Sequence, residues 1–217
     1  MVTPLKVGTT GDYAPFSSTR SDGSLTGFDI ELVQLLARTT VSFVPVTWSE
    51  LEAALASARV DLVASGITVT NARKRNGLFS RCYLRNHTVV MGRAATALPP
   101  QRLGVNRGGY LETVARSRFP HSTIVTVTDN ARLPERLMAG DFDAFMSDAI
   151  EARKFSARQP VTVLQQLEAQ EHALLFRKDL AALQASFDTA LDALLRDGSL
   201  ARLAAAHGID SALVPAP

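Results

Sequence analysis

Arg73 follows a short apolar strand and a small polar turn, and it lies near the start of a helix. A cation at that end opposes the helix dipole. A bound carboxylate removes the conflict, because a guanidinium matches a carboxylate in a two-pronged geometry. A solvated arginine is the alternative, since Lys74 and Arg75 come next. In the preceding turn, Ser65-Gly66-Ile67-Thr68, Gly66 lets backbone groups approach a ligand and Thr68 offers a hydroxyl. An ordinary polar turn has the same composition. Gly108-Gly109 before a helix is a candidate anion nest. Asp148 ends a strand and can cap the helix after it. Glu151 falls in that helix's first turn, where negative charge is favoured. Tyr13, Phe16 and the single tryptophan, Trp48, are candidate walls for a flat or cyclic ligand. Trp48 also suits a core-capping position.

The rest of the composition narrows the function class. The chain has 217 residues, 46% hydrophobic and 20% charged, with a net charge of +2. That is an ordinary balance for a globular protein able to bury one or two cores. The basic residues are dispersed, so no nucleic-acid-binding block is present. No apolar run is long enough to span a bilayer. Cys82 is the only cysteine. It excludes an internal disulfide and a Cys-based zinc cluster, and it reads as a small half-buried side chain. His87, His121, His172 and His207 form neither HxH nor HExxH, so no metal site is indicated. Met1-Val2-Thr3-Pro4-Leu5 has no basic segment followed by an apolar one. The expectation is a chain that works outside the cytoplasm after removal of a leader, with a cytoplasmic protein as the alternative.

These residues must be held by an alternating series of strands and helices. Strands are expected at Leu5–Thr9, Val41–Val46 and Asp61–Ala64. Between them a helix runs from Phe28 to Ala37, with Phe28, Leu32, Leu35 and Leu36 on its apolar face. A second is opened by a Ser49-Glu50-Leu51-Glu52 capping box and reaches about Ala58. A matching series follows: strands at Leu103–Val105, Ile124–Val127 and Ala144–Met146, with helices at Tyr110–Arg118, Arg132–Ala139 and Ala149–Ser156. Pro134 is tolerable only in a first helical turn, and Gly140 stops that helix. A helical tail runs from Leu180 to Leu195, with Gly198 as C-cap and a short helix to His207. Such alternation implies a largely parallel sheet covered by helices. The stretches Arg59–Ser65 and Gly140–Ser147 echo each other as helix end, acidic turn and buried strand. Ligands bind beyond the carboxyl ends of such strands. Two such units facing each other make a cleft. Connectors at His87–Arg93 and Ala173–Arg177 make a hinge. The expected division is residues 1–90 with 178–217 as a larger lobe and 91–177 as a smaller one.

Three segments resemble the polar amino-acid-binding type of the periplasmic solute-binding proteins, family 3. They are Val7–Phe16 with Gly27-Phe28-Asp29, Ser65–Thr70 with Arg73, and Phe79-Ser80 leading to Tyr83. The resemblance implies an α/β fold of the two-lobed, type II periplasmic-binding-protein kind, with a hinge and an interlobe cleft. Within the family, Thr9–Tyr13, Tyr83-Leu84-Arg85, Asn106 before Gly108-Gly109, and Ser147–Arg153 are similar to the cyclohexadienyl dehydratase branch. That branch converts prephenate to phenylpyruvate, or arogenate to phenylalanine, with loss of water and carbon dioxide and without a cofactor.

The resemblance also implies roles. Arg73 grips a ligand carboxylate. Asp148 meets a ligand ammonium in the amino-acid binders. Glu151 is the general acid of the dehydratases, and Asn106 orients that acid or the substrate hydroxyl. Two departures stand out. The branch has Gly-Thr-Asn-Glu where this chain has Gly109-Tyr110-Leu111-Glu112. It also carries a lysine after Tyr-Leu-Arg, where this chain has Asn86-His87-Thr88, which makes His87 the candidate replacement. The second functional expectation is a non-catalytic binding protein that delivers an amino acid or related carboxylate to an ABC permease. Homo-oligomer formation is left open.

Overall fold

The computed structural model describes residues 3–216; Met1 and Val2, which belong to the N-terminal reading, lie outside the described residues. The chain divides into two compact units, one running to Arg85 and resuming at Glu171, the other Asn86–Gln170.

In the first unit, β1 (Leu5–Thr9) leads into a small antiparallel sheet of β2 (Asp12–Tyr13), β3 (Ser17–Thr19) and β4 (Leu25–Thr26). The chain continues through α1 (Phe28–Leu36), β5 (Val41–Pro45), α2 (Leu51–Ala56) and β6 (Leu62–Val63). Strand β1 lies between β5 and β6 and is parallel to both. After α3 (Asn71–Asn76), the short β7 (Leu78–Phe79) pairs antiparallel with β13 (Leu175–Phe176), which also borders β6. Helices α7 (Ala181–Arg196) and α8 (Ser199–Ala206) close this unit, separated by a left-handed Gly198.

The second unit repeats the arrangement. The long β8 (Leu84–Gly92) enters it, followed by β9 (Arg102–Asn106), α4 (Tyr110–Arg118), β10 (Thr123–Val127), α5 (Leu133–Met138), β11 (Ala144–Asp148), α6 (Ala149–Arg158) and β12 (Thr162–His172). Strand β9 lies between β10 and β11, parallel to both, and β8 adds antiparallel to β11. Each unit therefore places its first parallel strand centrally, with later strands on either side, which creates a topological switch point.

Side chains on successive strand residues point to opposite faces. Val89, Met91 and Phe145 accordingly join one core with Leu133, Leu137 and Phe142, beneath α5 and α6. Val90, Ala144 and Met146 join another with Leu111, Val114 and Phe119, beneath α4. Strand β11, buried along its whole length, has apolar layers on both faces.

Three local expectations are corrected. The buried arc of α1 includes Phe28, Asp29, Ile30, Leu32, Val33 and Leu36, while Leu35 is 59% exposed. The helix is turned so that Asp29, seven residues before Leu36, faces inward. The capping box also falls two residues earlier. The Glu50 carboxylate accepts the Thr47 N–H at 3.0 Å, and α2 starts at Leu51 with no side-chain cap from Ser49. Glu52 instead accepts from the Asn76 amide on α3 at 2.9 Å. Finally, the return to the first unit falls at Gln170–Glu171, before Ala173. There the first unit already grips the chain: Val69 N–H donates to Glu171 O at 2.8 Å and Ala173 N–H to Ile67 O at 3.1 Å.

Candidate functional site

In the first unit the candidate residues gather at the carboxyl ends of the three parallel strands. Thr10 follows β1, Trp48 follows β5, and the Ser65–Thr68 turn follows β6. The Ser65 and Thr10 hydroxyls lie 2.7 Å apart, which ties the ends of β6 and β1 together. Tyr13 and Phe16 come from the small sheet after β1. Tyr13 packs at 5.0 Å from Phe16 and edge-on to Trp48 at 5.2 Å. The Trp48 indole N–H donates to the Asp12 carboxylate at 3.2 Å. All three rings are buried, so Trp48 takes a core-capping placement.

Gly66 has φ +59, and a Cβ there would lie 2.8 Å from the Tyr13 ring and 2.9 Å from Phe16. Only glycine meets both the left-handed backbone and that contact. Arg73 is 6% exposed on α3. Its guanidinium donates to the Thr68 carbonyl at 3.0 Å, and the half-exposed Glu52 lies 4.0 Å away. Burial lowers its proton affinity, and Glu52 only partly opposes this. A guanidinium has five N–H donors. Among the described residues, the Thr68 carbonyl takes one of them.

The second unit repeats the placement. Asn106 ends β9, Asn130 follows β10, and Ser147, Asp148 and Glu151 span the end of β11 and the first turn of α6. Asp148 caps that helix, accepting at Oδ1 from Ile150 N–H (2.8 Å), Glu151 N–H (2.9 Å) and the Asn86 amide (2.6 Å). Glu151 is 1% exposed. Asn130 Nδ2 donates to its Oε1 at 2.5 Å, and the Ser147 hydroxyl donates to its Oε2 at 2.6 Å. Turned about its C–O bond, the same hydroxyl accepts from a protonated carboxyl, so the pocket suits either form. Asn106 is 4% exposed, and its Oδ1 has no hydrogen-bond partner among the described residues. A Cβ at Gly109 would fall 2.2 Å from Asn106 Nδ2, so this glycine makes room for the amide. The Gly108 N–H is taken by Glu112 Oε2 at 2.8 Å, so the chain's own carboxylate occupies that donor of the expected nest. His87 is partly buried on β8, and its N–H donates to Asn86 Oδ1 at 2.8 Å.

The structure thus gathers Tyr13, Phe16, Trp48, Ser65, Gly66, Thr68 and Arg73 in one unit, and Asn106, Gly109, Asp148 and Glu151 in the other. Several participants were not singled out from sequence. Asn130 and Ser147 hold Glu151, Asn86 holds Asp148, and Asp29 and His172 lie against Gly66. For Asp29 a signal existed: an acid between Phe28 and Ile30 on an apolar helix face. Asn130 carries none, because its partner is 21 residues away. Cys82 is half-buried, and burial pushes its thiol up to about 11.

Comparison with known proteins follows the same lines. The model of the bacterial extracellular solute-binding proteins, family 3, matches residues 5–208. Cyclohexadienyl dehydratase of Pseudomonas aeruginosa is 33% identical over 194 residues, covering 82% of this chain and 72% of that protein. The L-cystine-binding protein TcyJ of Escherichia coli K12 is 30% identical over 213 residues, covering 92% and 80%. Among solved structures, an ancestral amino acid-binding protein described as a precursor of cyclohexadienyl dehydratase superposes with a TM-score of 0.86. It is 28% identical, and 94% of each chain is covered. The fold class read from the sequence, α/β with two lobes, is that of these neighbours. With that match running almost end to end, the chain belongs to the bacterial extracellular solute-binding proteins, family 3.

Proposed function

We propose that the chain is a cyclohexadienyl dehydratase-like lyase acting on prephenate or arogenate outside the cytoplasm. The observation that carries the reading is Glu151. It is a buried glutamate at the carboxyl edge of a parallel sheet, engaged at both oxygens by Asn130 and Ser147. A surface glutamate in a first helical turn needs no such pocket. The 33% identity to a cyclohexadienyl dehydratase supports the same reading.

In this reading Arg73 receives a substrate carboxylate on its open donors, aided by the Ser65 and Thr68 hydroxyls. Asn106 offers its unpartnered Oδ1 to the substrate hydroxyl. Glu151, protonated, gives its proton to the ring hydroxyl as the C–O bond breaks and water leaves. The carbon–carbon bond to the ring carboxylate breaks in the same event. Its electron pair enters the ring, carbon dioxide departs and the ring becomes aromatic. Glu151 is left as carboxylate and regains a proton from solvent. No cofactor is needed, and positioning, desolvation and one proton carry the step. Tyr110, Leu111 and His87 replace polar groups of the branch, so substrate preference is expected to differ from that of the Pseudomonas enzyme.

A second reading is supported by the 30% identity to an L-cystine-binding protein. Here the chain is non-catalytic, holds an amino acid through Arg73 and Asp148, and serves an ABC permease. Phenylpyruvate formation from prephenate at neutral pH, followed by absorbance against a buffer blank, separates the two. Turnover that disappears in Glu151→Gln supports the lyase. A folded protein without turnover, but stabilised against heat by an amino acid, supports the binding protein and refutes the lyase.

A further inference from the structure

Beneath the Ser65–Thr68 turn lies a buried polar cluster that the proposed reaction does not use. Asp29, on the inner arc of α1, is fully buried. Its Oδ2 accepts the Gly66 N–H at 2.6 Å and the Tyr83 hydroxyl at 2.8 Å. Its Oδ1 has no hydrogen-bond partner among the described residues. On the other side, His172 Nδ1 lies 2.8 Å from the Gly66 carbonyl oxygen. The His172 ring packs 5.1 Å from Phe16, and its backbone forms a bridge with Thr68. Both polar backbone groups of the left-handed Gly66 are therefore held by ionisable side chains.

We propose that Asp29 and His172 are positioning residues that clamp Gly66 by its N–H and its carbonyl, fixing the Ser65–Thr68 turn and the Thr68 carbonyl that seats Arg73. The link from turn to ligand rests on the reading of Arg73 as the carboxylate grip; the clamp itself does not. Protonation weakens the clamp. Burial raises the Asp29 carboxyl from its ordinary range to about 7, against the opposing pull of Gly66 and Tyr83. A proton on the open Oδ1 turns Oδ2 into a neutral carbonyl, a poorer acceptor than a carboxylate. Other ionisable groups surround the carboxyl, His172 on the Gly66 carbonyl among them. Tyr83 is held protonated by burial, with Cys82 beside it. Glu31 and His207 pair with each other at 3.2 Å on the side of α1 against α8. Arg73 meets the turn at the Thr68 carbonyl.

The test needs no ligand. Ser65-Gly66 is the only Ser-Gly step in the sequence. Labelling serine carbonyls with carbon-13 and glycine with nitrogen-15 therefore isolates the Gly66 amide in a carbonyl-edited NMR spectrum. Its proton resonance is expected far downfield at pH 8.5, moving upfield towards pH 5.5 with a midpoint near 7. Asp29→Asn removes the titration. Tyr83→Phe, which takes one donor from Oδ2, moves the midpoint to higher pH. This second variant serves if the first does not fold. An amide that does not move in the wild type, or a titration unchanged in Asp29→Asn or Tyr83→Phe, overturns the clamp. With prephenate, KM is expected to rise about tenfold from pH 8 to pH 6, as the ionised fraction falls. In Asp29→Asn that slope is lost. A titrating Gly66 amide without prephenate turnover leaves the clamp standing and refutes the lyase reading.

Discussion

Replacing Arg73 with methionine separates a binding arginine from a structural one. The guanidinium is 6% exposed and, among the described residues, makes one side-chain hydrogen bond, to the Thr68 carbonyl. Glu52, 4.0 Å away and 46% exposed, is a weak partner. Burying a cation costs several kcal/mol, and a single neutral acceptor offsets only part of that. Methionine keeps much of the packing of the side-chain stem. Removing the hydrogen bond costs about 1–3 kcal/mol, and removing the desolvation penalty returns a similar amount. The two nearly cancel, so Arg73→Met is expected to unfold in urea within about 1 kcal/mol of the wild type. Affinity is a different matter. A forked contact to a carboxylate contains two charge-assisted bonds at about 1.5–3 kcal/mol each. Loss of both weakens binding by roughly a hundredfold or more. Urea melts and prephenate KM, or amino-acid titration calorimetry under the second reading, measure the two arms. A loss of about 3 kcal/mol or more in stability, with affinity retained, would mark Arg73 as structural and refute the reasoning.

Other outcomes follow from the same geometry. Burial raises the folded-state pKa of Asp29 to about 7, against an ordinary value of 3.8. Between those values the native state binds more protons than the unfolded one. Stability therefore falls as pH rises from about 4 to 7 and then levels. Urea melts at pH 5 and pH 8 should show the wild type losing up to about 3 kcal/mol more than Asp29→Asn. Equal pH dependence in both proteins would refute the assignment. Gly109→Ala, whose Cβ meets the Asn106 amide at 2.2 Å, should lower prephenate kcat more than it raises KM for the Arg73 grip. An unchanged kcat removes Asn106 from the reaction. Ser147→Ala removes one donor from Glu151 Oε2, and it should cost about 1–3 kcal/mol in a urea melt while shifting the pH–rate profile. A profile that does not move would leave Ser147 a purely structural support.

The sequence alone determined the alternation of strands and helices. Period-two and helical patterns are local, and so are the first-turn mark of Pro134 and the stop at Gly140. Helix α4 runs over Tyr110–Arg118 as expected, and β1 over Leu5–Thr9. The residue types and motif order around Gly66, Arg73 and Asp148 also pointed to a carboxylate-binding protein of this family. What the sequence hid depends on distance along the chain. Asp29 to Gly66, His172 to Gly66 and Asn130 to Glu151 are contacts across 37, 106 and 21 residues. No local pattern encodes them. The turning of α1 shows the reason most plainly. By apolar periodicity Leu35 belongs on the inner face, with the acid at Asp29 an interruption of it. The tertiary structure reverses this because the buried carboxylate satisfies a backbone N–H that would otherwise be left without a partner. The same holds for the capping of α2, where Thr47 and Glu50 form the contact that Ser49 and Glu52 appear to offer. Periodicity reports which residues are apolar; only the assembled backbone decides which polar groups must be buried to satisfy it.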